Sequence, residues 1–163
     1  MDRARRADHL RPPTSAFVID RPVLTGFVSR FQQALDTHWP TAILSYSFKT
    51  NPLPWLVSFM RDRGVWAEVV SDTEYRLALT LGYTPDRIVY NGPIKSRGLL
   101  RSALRNGSII NLDAKREVMT AVELAREMPG TEFAVGLRVN WDLEARCPGE
   151  SPTDSPASAW PFG

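Results

Sequence analysis

Between positions 43 and 140 the chain switches repeatedly between an apolar period of two and one near 3.6. Ile43-Leu44-Ser45-Tyr46-Ser47-Phe48-Lys49-Thr50-Asn51-Pro52 has the shorter period. Leu44, Tyr46 and Phe48 fall on one side of a strand; Ile43, Ser45, Ser47 and Lys49 fall on the other. Pro52 and Pro54 end that strand and prepare a helix. The helix has Trp55, Leu56, Phe59 and Met60 as its stripe and Gly64 as its stop. Val65 to Ser71 predicts a second strand. Ser71-Asp72-Thr73-Glu74 has capping-box spacing and opens a helix to Leu81. Arg87 to Asn91 is a third strand, and Ser96 caps a helix with Leu99, Leu100, Ala103 and Leu104 inward. Ser108 to Leu112 is a fourth strand, and Asp113 caps a helix carrying Val118, Ala121, Val122, Ala125 and Met128. Phe133 to Asn140 is a fifth. Upstream, Ala16 to Asp20 reads as a short strand and Val23 to Trp39 as a helix with Phe27, Phe31 and Leu35 on one stripe.

Strands and helices that alternate over short connections imply parallel pairing with right-handed crossovers. A doubly wound open sheet and a barrel both satisfy that order. Polar residues favour the barrel: Lys49, Ser71, Asn91, Asp113 and Arg138 stand at the carboxyl ends of successive strands, the rim where barrel enzymes do chemistry. Arg138 shares its face with Ala134 and Gly136, and Lys49 shares its face with two serines. Both are therefore expected to point inward at one rim. The fold class expected is α/β, a partial (β/α) barrel of about five parallel strands with alternating helices. Residues 1–15, rich in arginine with Pro12 and Pro13, read as a disordered leader, 16–146 as the folded part, and 147–163 as a proline- and serine-rich tail.

Composition narrows the setting. With 163 residues and 43% hydrophobic content, the chain can bury a core. Acids and bases are interspersed and the net charge is only +2, so a nucleic-acid partner is not expected. The one cysteine, Cys147, rules out an intrachain disulfide and a thiolate metal cluster. His9 and His38 have no metal spacing. The sequence has neither a membrane-length apolar run nor the apolar segment of a secretory signal, so a cytoplasmic protein is expected. Arg97, Arg101 and Arg105 line one helix face and read as the solvated outside of a barrel helix.

A lysine fixed at the end of a buried strand can condense with an aldehyde when its amine is neutral. Taken alone, Lys49 is also explained as a solvated strand-end residue. Its context is more specific. Tyr46-Ser47-Phe48-Lys49-Thr50-Asn51-Pro52 resembles the pyridoxal-phosphate lysine motif of the alanine-racemase-fold decarboxylases that act on ornithine, diaminopimelate and arginine. Further motifs follow in the family's order: Ala67-Glu68-Val69-Val70-Ser71 with Glu74, Val89-Tyr90-Asn91-Gly92-Pro93-Ile94-Lys95-Ser96, Ile110-Asn111-Leu112-Asp113 and Leu137-Arg138-Val139-Asn140. The resemblance covers roughly 16–146 and is strongest to the diaminopimelate-decarboxylase-like group.

The resemblance implies that Lys49 binds pyridoxal 5'-phosphate covalently and that Arg138 sits by the cofactor ring. Glu68 would lie near the lysine nitrogen, where relatives commonly have aspartate, and Ser71 and Glu74 would support the site. Strand parity puts Glu68 and Ser71 on opposite faces, and the capping box explains Ser71 and Glu74 without any cofactor. Arg138 could instead be a paired barrel arginine. Asn91 and Asp113 read as turn and cap residues. A complete barrel has eight strands in about 250 residues. The family's ring-stacking histidine, glycine-rich phosphate site and catalytic cysteine would lie downstream, and its homodimer relies on a second domain. The expected function is therefore the amino-terminal cofactor-binding part of an amino-acid decarboxylase, inactive as this chain alone. The alternatives are a non-catalytic pyridoxal-phosphate-binding protein and a remnant that pairs with a full-length relative.

Overall fold

The computed structural model describes residues 17–139. The leader, the tail and Cys147 lie outside them. The chain divides into two compact units between Ala42 and Ile43.

In the first unit, α1 spans Arg21–His38. Phe17 to Asp20 do not form the expected strand. Asp20 is instead the N-cap: its carboxylate accepts the Val23 N–H at 2.9 Å, and Pro22 fits the first turn because it has no donor to lose. A capping aspartate three residues before Val23 outweighs the β-prone Val18-Ile19 pair.

The second unit contains, in order, β1 (Ser45–Ser47), α2 (Pro54–Arg61), β2 (Trp66–Val69), α3 (Asp72–Thr80), a 3₁₀ turn (Pro85–Arg87), β3 (Ile88–Tyr90), α4 (Arg97–Arg105), β4 (Ile109–Leu112), α5 (Lys115–Glu127) and β5 (Val135–Leu137). The strands are all parallel and their spatial order is β1-β2-β3-β4-β5. That order decides between the two architectures. A doubly wound sheet reverses direction at a switch point, whereas here every crossover steps the same way, as in a barrel wall.

Burial alternates along the strands. Ala67, Val69, Ile88, Tyr90, Ile110 and Leu112 are buried, while Glu68, Val89, Ile109 and Asn111 between them are only partly covered. The core therefore lies on one side of the sheet. Leu56, Val57, Phe59 and Met60 of α2, Tyr75 and Ala78 of α3, Leu100, Ala103 and Leu104 of α4, and Ala121 and Leu124 of α5 are buried with it. Phe48 and Tyr83 meet edge to face with centroids 6.0 Å apart, and Tyr75 and Tyr90 are tilted against each other at 5.1 Å. Each large apolar side chain so buried contributes about 1.5–3 kcal/mol. The opposite face, where Ser47, Glu68 and Asn111 stand among Val89 and Ile109, borders the cavity described below.

Two helices start on side chains as their sequences predict, or nearly so. Ser71 accepts from the Glu74 N–H at 3.2 Å, and Ser96 from the Leu99 N–H at 3.4 Å. The return bond from Glu74 reaches the Val70 N–H at 2.8 Å, one residue before the cap. The expected Asp113 cap is not formed. Ala114 is the N-cap of α5 and offers no side-chain bond. Asp113 lies on the polar face of the sheet and turns its carboxylate to Arg138, while Glu117 takes the Asp113 N–H at 2.9 Å. The face on which the strand releases the residue overrides its capping preference. The arginine stripe of α4 is ion-paired as well as solvated: Arg97 meets Glu123 and Glu127 at 2.6 Å each, and Arg101 meets Glu127 at 2.9 Å.

Candidate active site

Parallel register fixes which side chains share a face. Ser47 pairs with Glu68, Glu68 with Val89, and Asn111 with Gly136. Continuing by twos puts Lys49, Glu68, Asn91, Asn111, Asp113 and Arg138 on one side of the sheet. They line a single cavity of about 520 Å³ at the carboxyl ends of the strands, closed further by Val70, Gly92, Pro93 and Leu137. That volume lies within the range of small-molecule and cofactor sites.

Lys49 is not itself in a strand. Pairing ends at Ser47, with one further bond from the Phe48 N–H to the Glu68 carbonyl at 3.0 Å, and Phe48 to Thr50 form a turn. Phe48 is anchored in the core, and the turn leaves Lys49 exposed and lining the cavity. Tyr46 fastens the far side of the turn by donating to the Asn51 carbonyl at 3.1 Å. Gly92 closes the turn after β3 with a φ of +90°. A Cβ there would lie 2.1 Å from the Val70 carbonyl oxygen, so only glycine permits this approach of β3 to β2.

The polar groups of the cavity are joined. Asn91 donates to Glu68 Oε1 at 2.6 Å, Asn111 donates to Asn91 Oδ1, and Arg138 Nη1 stands 3.4 Å from Asp113 Oδ2. Behind this surface, Lys95 forms a buried ion pair with Glu117 at 3.2 Å and lies over the Tyr90 ring at 5.4 Å. Tyr90 donates to Asp72. Burial and that carboxylate push its phenol well above its ordinary range. Burial also acts on Asp72, but hydrogen bonds from Ser96 and Tyr90 outweigh it and hold the carboxyl below its usual value.

Of the five residues singled out in the sequence, Lys49, Glu68 and Arg138 come together at the cavity. Ser71 and Glu74 are engaged at the start of α3 and do not line it. Asn91 and Asp113 line it although turn and cap chemistry accounted for them in the sequence, and Asn111, given no role there, lines it too. The signal that could have found them is strand parity, which puts all three on the lysine's face. Among the described residues, no cluster of His, Cys, Asp and Glu could hold a metal ion, and no helix is long and apolar enough to cross a membrane.

The donor set fits pyridoxal phosphate. A primary amine suits its aldehyde, while a guanidinium and carboxylates suit its phenolic oxygen and cationic nitrogen. Ser47 Oγ, on the same face, is buried with no hydrogen-bond partner among the described residues.

Comparison with known proteins agrees. Residues 25–155 match the family model described as pyridoxal-dependent decarboxylase, pyridoxal binding domain. The chain is 32% identical over 133 residues to diaminopimelate decarboxylase of Zymomonas mobilis, covering 80% of this chain and 31% of that enzyme. It is 27% identical to the chloroplastic ornithine decarboxylase of Nicotiana glauca, over 81% of this chain and 29% of that one. The chain thus spans about a third of the length of these relatives. The crystal structure of Helicobacter pylori diaminopimelate decarboxylase complexed with L-lysine shares the fold, with a TM-score of 0.69 at 22% identity over 84% of this chain and 34% of that one. Motifs, sheet order, cavity and family match converge: this chain belongs to the pyridoxal-dependent decarboxylases, over their pyridoxal binding domain, and the cofactor of that domain is pyridoxal phosphate.

Proposed function

We propose that this chain holds pyridoxal phosphate through Lys49 and forms one wall of a site for decarboxylating a diamino acid such as diaminopimelate or ornithine. The observation that carries the reading is the meeting of Lys49, Glu68 and Arg138 around one cavity at the carboxyl end of a barrel-like sheet. When bound, the cofactor supplies an electron sink for the pair left by loss of carbon dioxide. Lys49 would hold the aldehyde through its amine, at the cavity the substrate amine must also enter. Glu68 sets a negative charge where cationic nitrogen must be held. Arg138, steadied by Asp113, offers positive charge to the ring oxygen. Ser71 and Glu74 support the wall indirectly by fixing the turn from β2 into α3.

The substrate class rests on the similarity to diaminopimelate and ornithine decarboxylases. Five strands surround the cavity only in part, so the chain alone should bind cofactor weakly and not sustain turnover. Incubation with pyridoxal phosphate followed by borohydride reduction and peptide mass analysis tests this. The expected result is one label, on Lys49, absent in Lys49→Ala. A label on other lysines, unchanged by Lys49→Ala, overturns the assignment. Sustained carbon dioxide release from diaminopimelate or ornithine by the purified chain overturns the inactivity.

A further inference from the structure

Glu68 is held by more than its own strand. Its carboxylate can only accept hydrogen bonds, so Asn91 must present its NH₂ group, which it does at 2.6 Å, the short distance of a charge-assisted bond. Asn91 Oδ1 then necessarily faces away, toward β4, and accepts from the NH₂ of Asn111. Asn111 Oδ1 in turn faces β5, where a Cβ on residue 136 would come within 2.1 Å of it; Gly136 leaves the room. A single charge at one end therefore orients two amides in series across β3 and β4. Glu68 pairs with Val89, so Asn91 stands two positions further along its strand, and the shorter carboxylate of aspartate would end further from it.

We propose that Asn91 and Asn111 are positioning residues, forming an amide ladder that fixes the Glu68 carboxylate in one pose toward the cavity that Lys49 lines. The ladder occupies Oε1 and leaves Oε2 for the group that enters. The inference rests on the cofactor reading above and adds two residues that act through a third. It predicts a dependence that ordinary packing does not produce: Asn111 acts only through Asn91, and Asn91 only through Glu68.

Two measurements on the full chain test it. In the cofactor-free protein, Glu68→Ala should move the side-chain amide NMR resonances of Asn91 and, one step beyond, of Asn111. An unmoved Asn111 overturns the ladder. The second measurement is the rate of Lys49 labelling by pyridoxal phosphate and borohydride, with thermal midpoints recorded alongside. Asn91→Ala should slow labelling roughly tenfold, the effect of one hydrogen bond to a charged group. Asn111→Ala should slow it less, and the double variant should match Asn91→Ala. In a Glu68→Ala background neither change should have further effect, and Glu68→Asp should behave like Asn91→Ala. If Asn91→Ala does not fold, Asn91→Ser, which keeps a short donor, takes its place. Additive losses that persist without Glu68 assign a merely structural role and overturn the proposal. Normal labelling with no change in Asn91→Ala overturns this inference alone, whereas an unsubstituted chain that takes no label at Lys49 overturns the cofactor reading and the inference with it.

Discussion

Tyr83 is buried against Phe48 and donates its hydroxyl to the Val57 carbonyl at 3.2 Å. Burial, partly opposed by Arg61, pushes its phenol up to about 12. A phenol held protonated by the fold contributes stability that is complete below its ordinary value of 10.0 and is lost as pH rises toward 12. Tyr83→Phe should therefore cost about 1 kcal/mol near neutrality, the worth of one hydrogen bond, and flatten the alkaline loss, as read from urea midpoints across pH 8 to 12. At this scale the sequence was readable wherever parity alone decided. Alternation placed Lys49 opposite Phe48 and put Arg138 on the face of Gly136, and the cavity holds both. Parity also separated Glu68 from Ser71, and the structure keeps them apart. Asn91 and Asp113 read as turn and cap residues because a strand-end amide or carboxylate carries the same local signal whether it caps a helix or bonds across strands. Only the partner strand, far away in sequence, distinguishes the two.

The starts of α3 and α4 and the five strands of the sheet followed from local chemistry, whereas the connections between elements depend on contacts no local pattern announces. The clearest is the Lys95–Glu117 pair, with side-chain exposures of 0% and 4%. Lys95 also donates to the Gly92 carbonyl, and Glu117 receives the Asp113 N–H. One buried ion pair thereby ties the turn after β3 to the turn after β4, the two loops that carry Gly92, Pro93 and Asp113 to the cavity. Removing one partner leaves the other charge buried. Glu117→Gln should cost about 3–5 kcal/mol by chemical denaturation, while the paired change Lys95→Met with Glu117→Leu should recover most of it. A Glu117→Gln loss no larger than that of a surface pair would refute this account. The Arg97 and Arg101 pairs, half exposed, should by contrast be nearly silent in the same assay.

Across the second unit, the sequence conveyed element order, parallel pairing and a barrel-like wall, because short βα connections leave few alternatives. It did not convey how unevenly the sheet is covered. Val135 and Leu137 of β5, on the face that elsewhere packs against helices, are 48% and 67% exposed, and Val139 is 76% exposed. The outer edges of β1 and β5 have no strand partner among the described residues. Open parallel edges beside exposed valine and leucine favour association with other chains. Sedimentation velocity should show self-association that grows with concentration and is reduced by Val135→Lys with Leu137→Lys. A monomer throughout the micromolar range would show that the edge is protected.

Because each strand pairs only with its immediate neighbour in sequence, the wall has a modular logic. Every βα unit gains its support from the unit before and the unit after, as in a stack of repeats, and distant closure is not needed for the interior units to hold shape. Damage should therefore spread locally. Hydrogen exchange is expected to be slowest in the interior strands β2 and β3 and quicker in β1 and β5 at the edges, so the strand bearing Glu68 should breathe least.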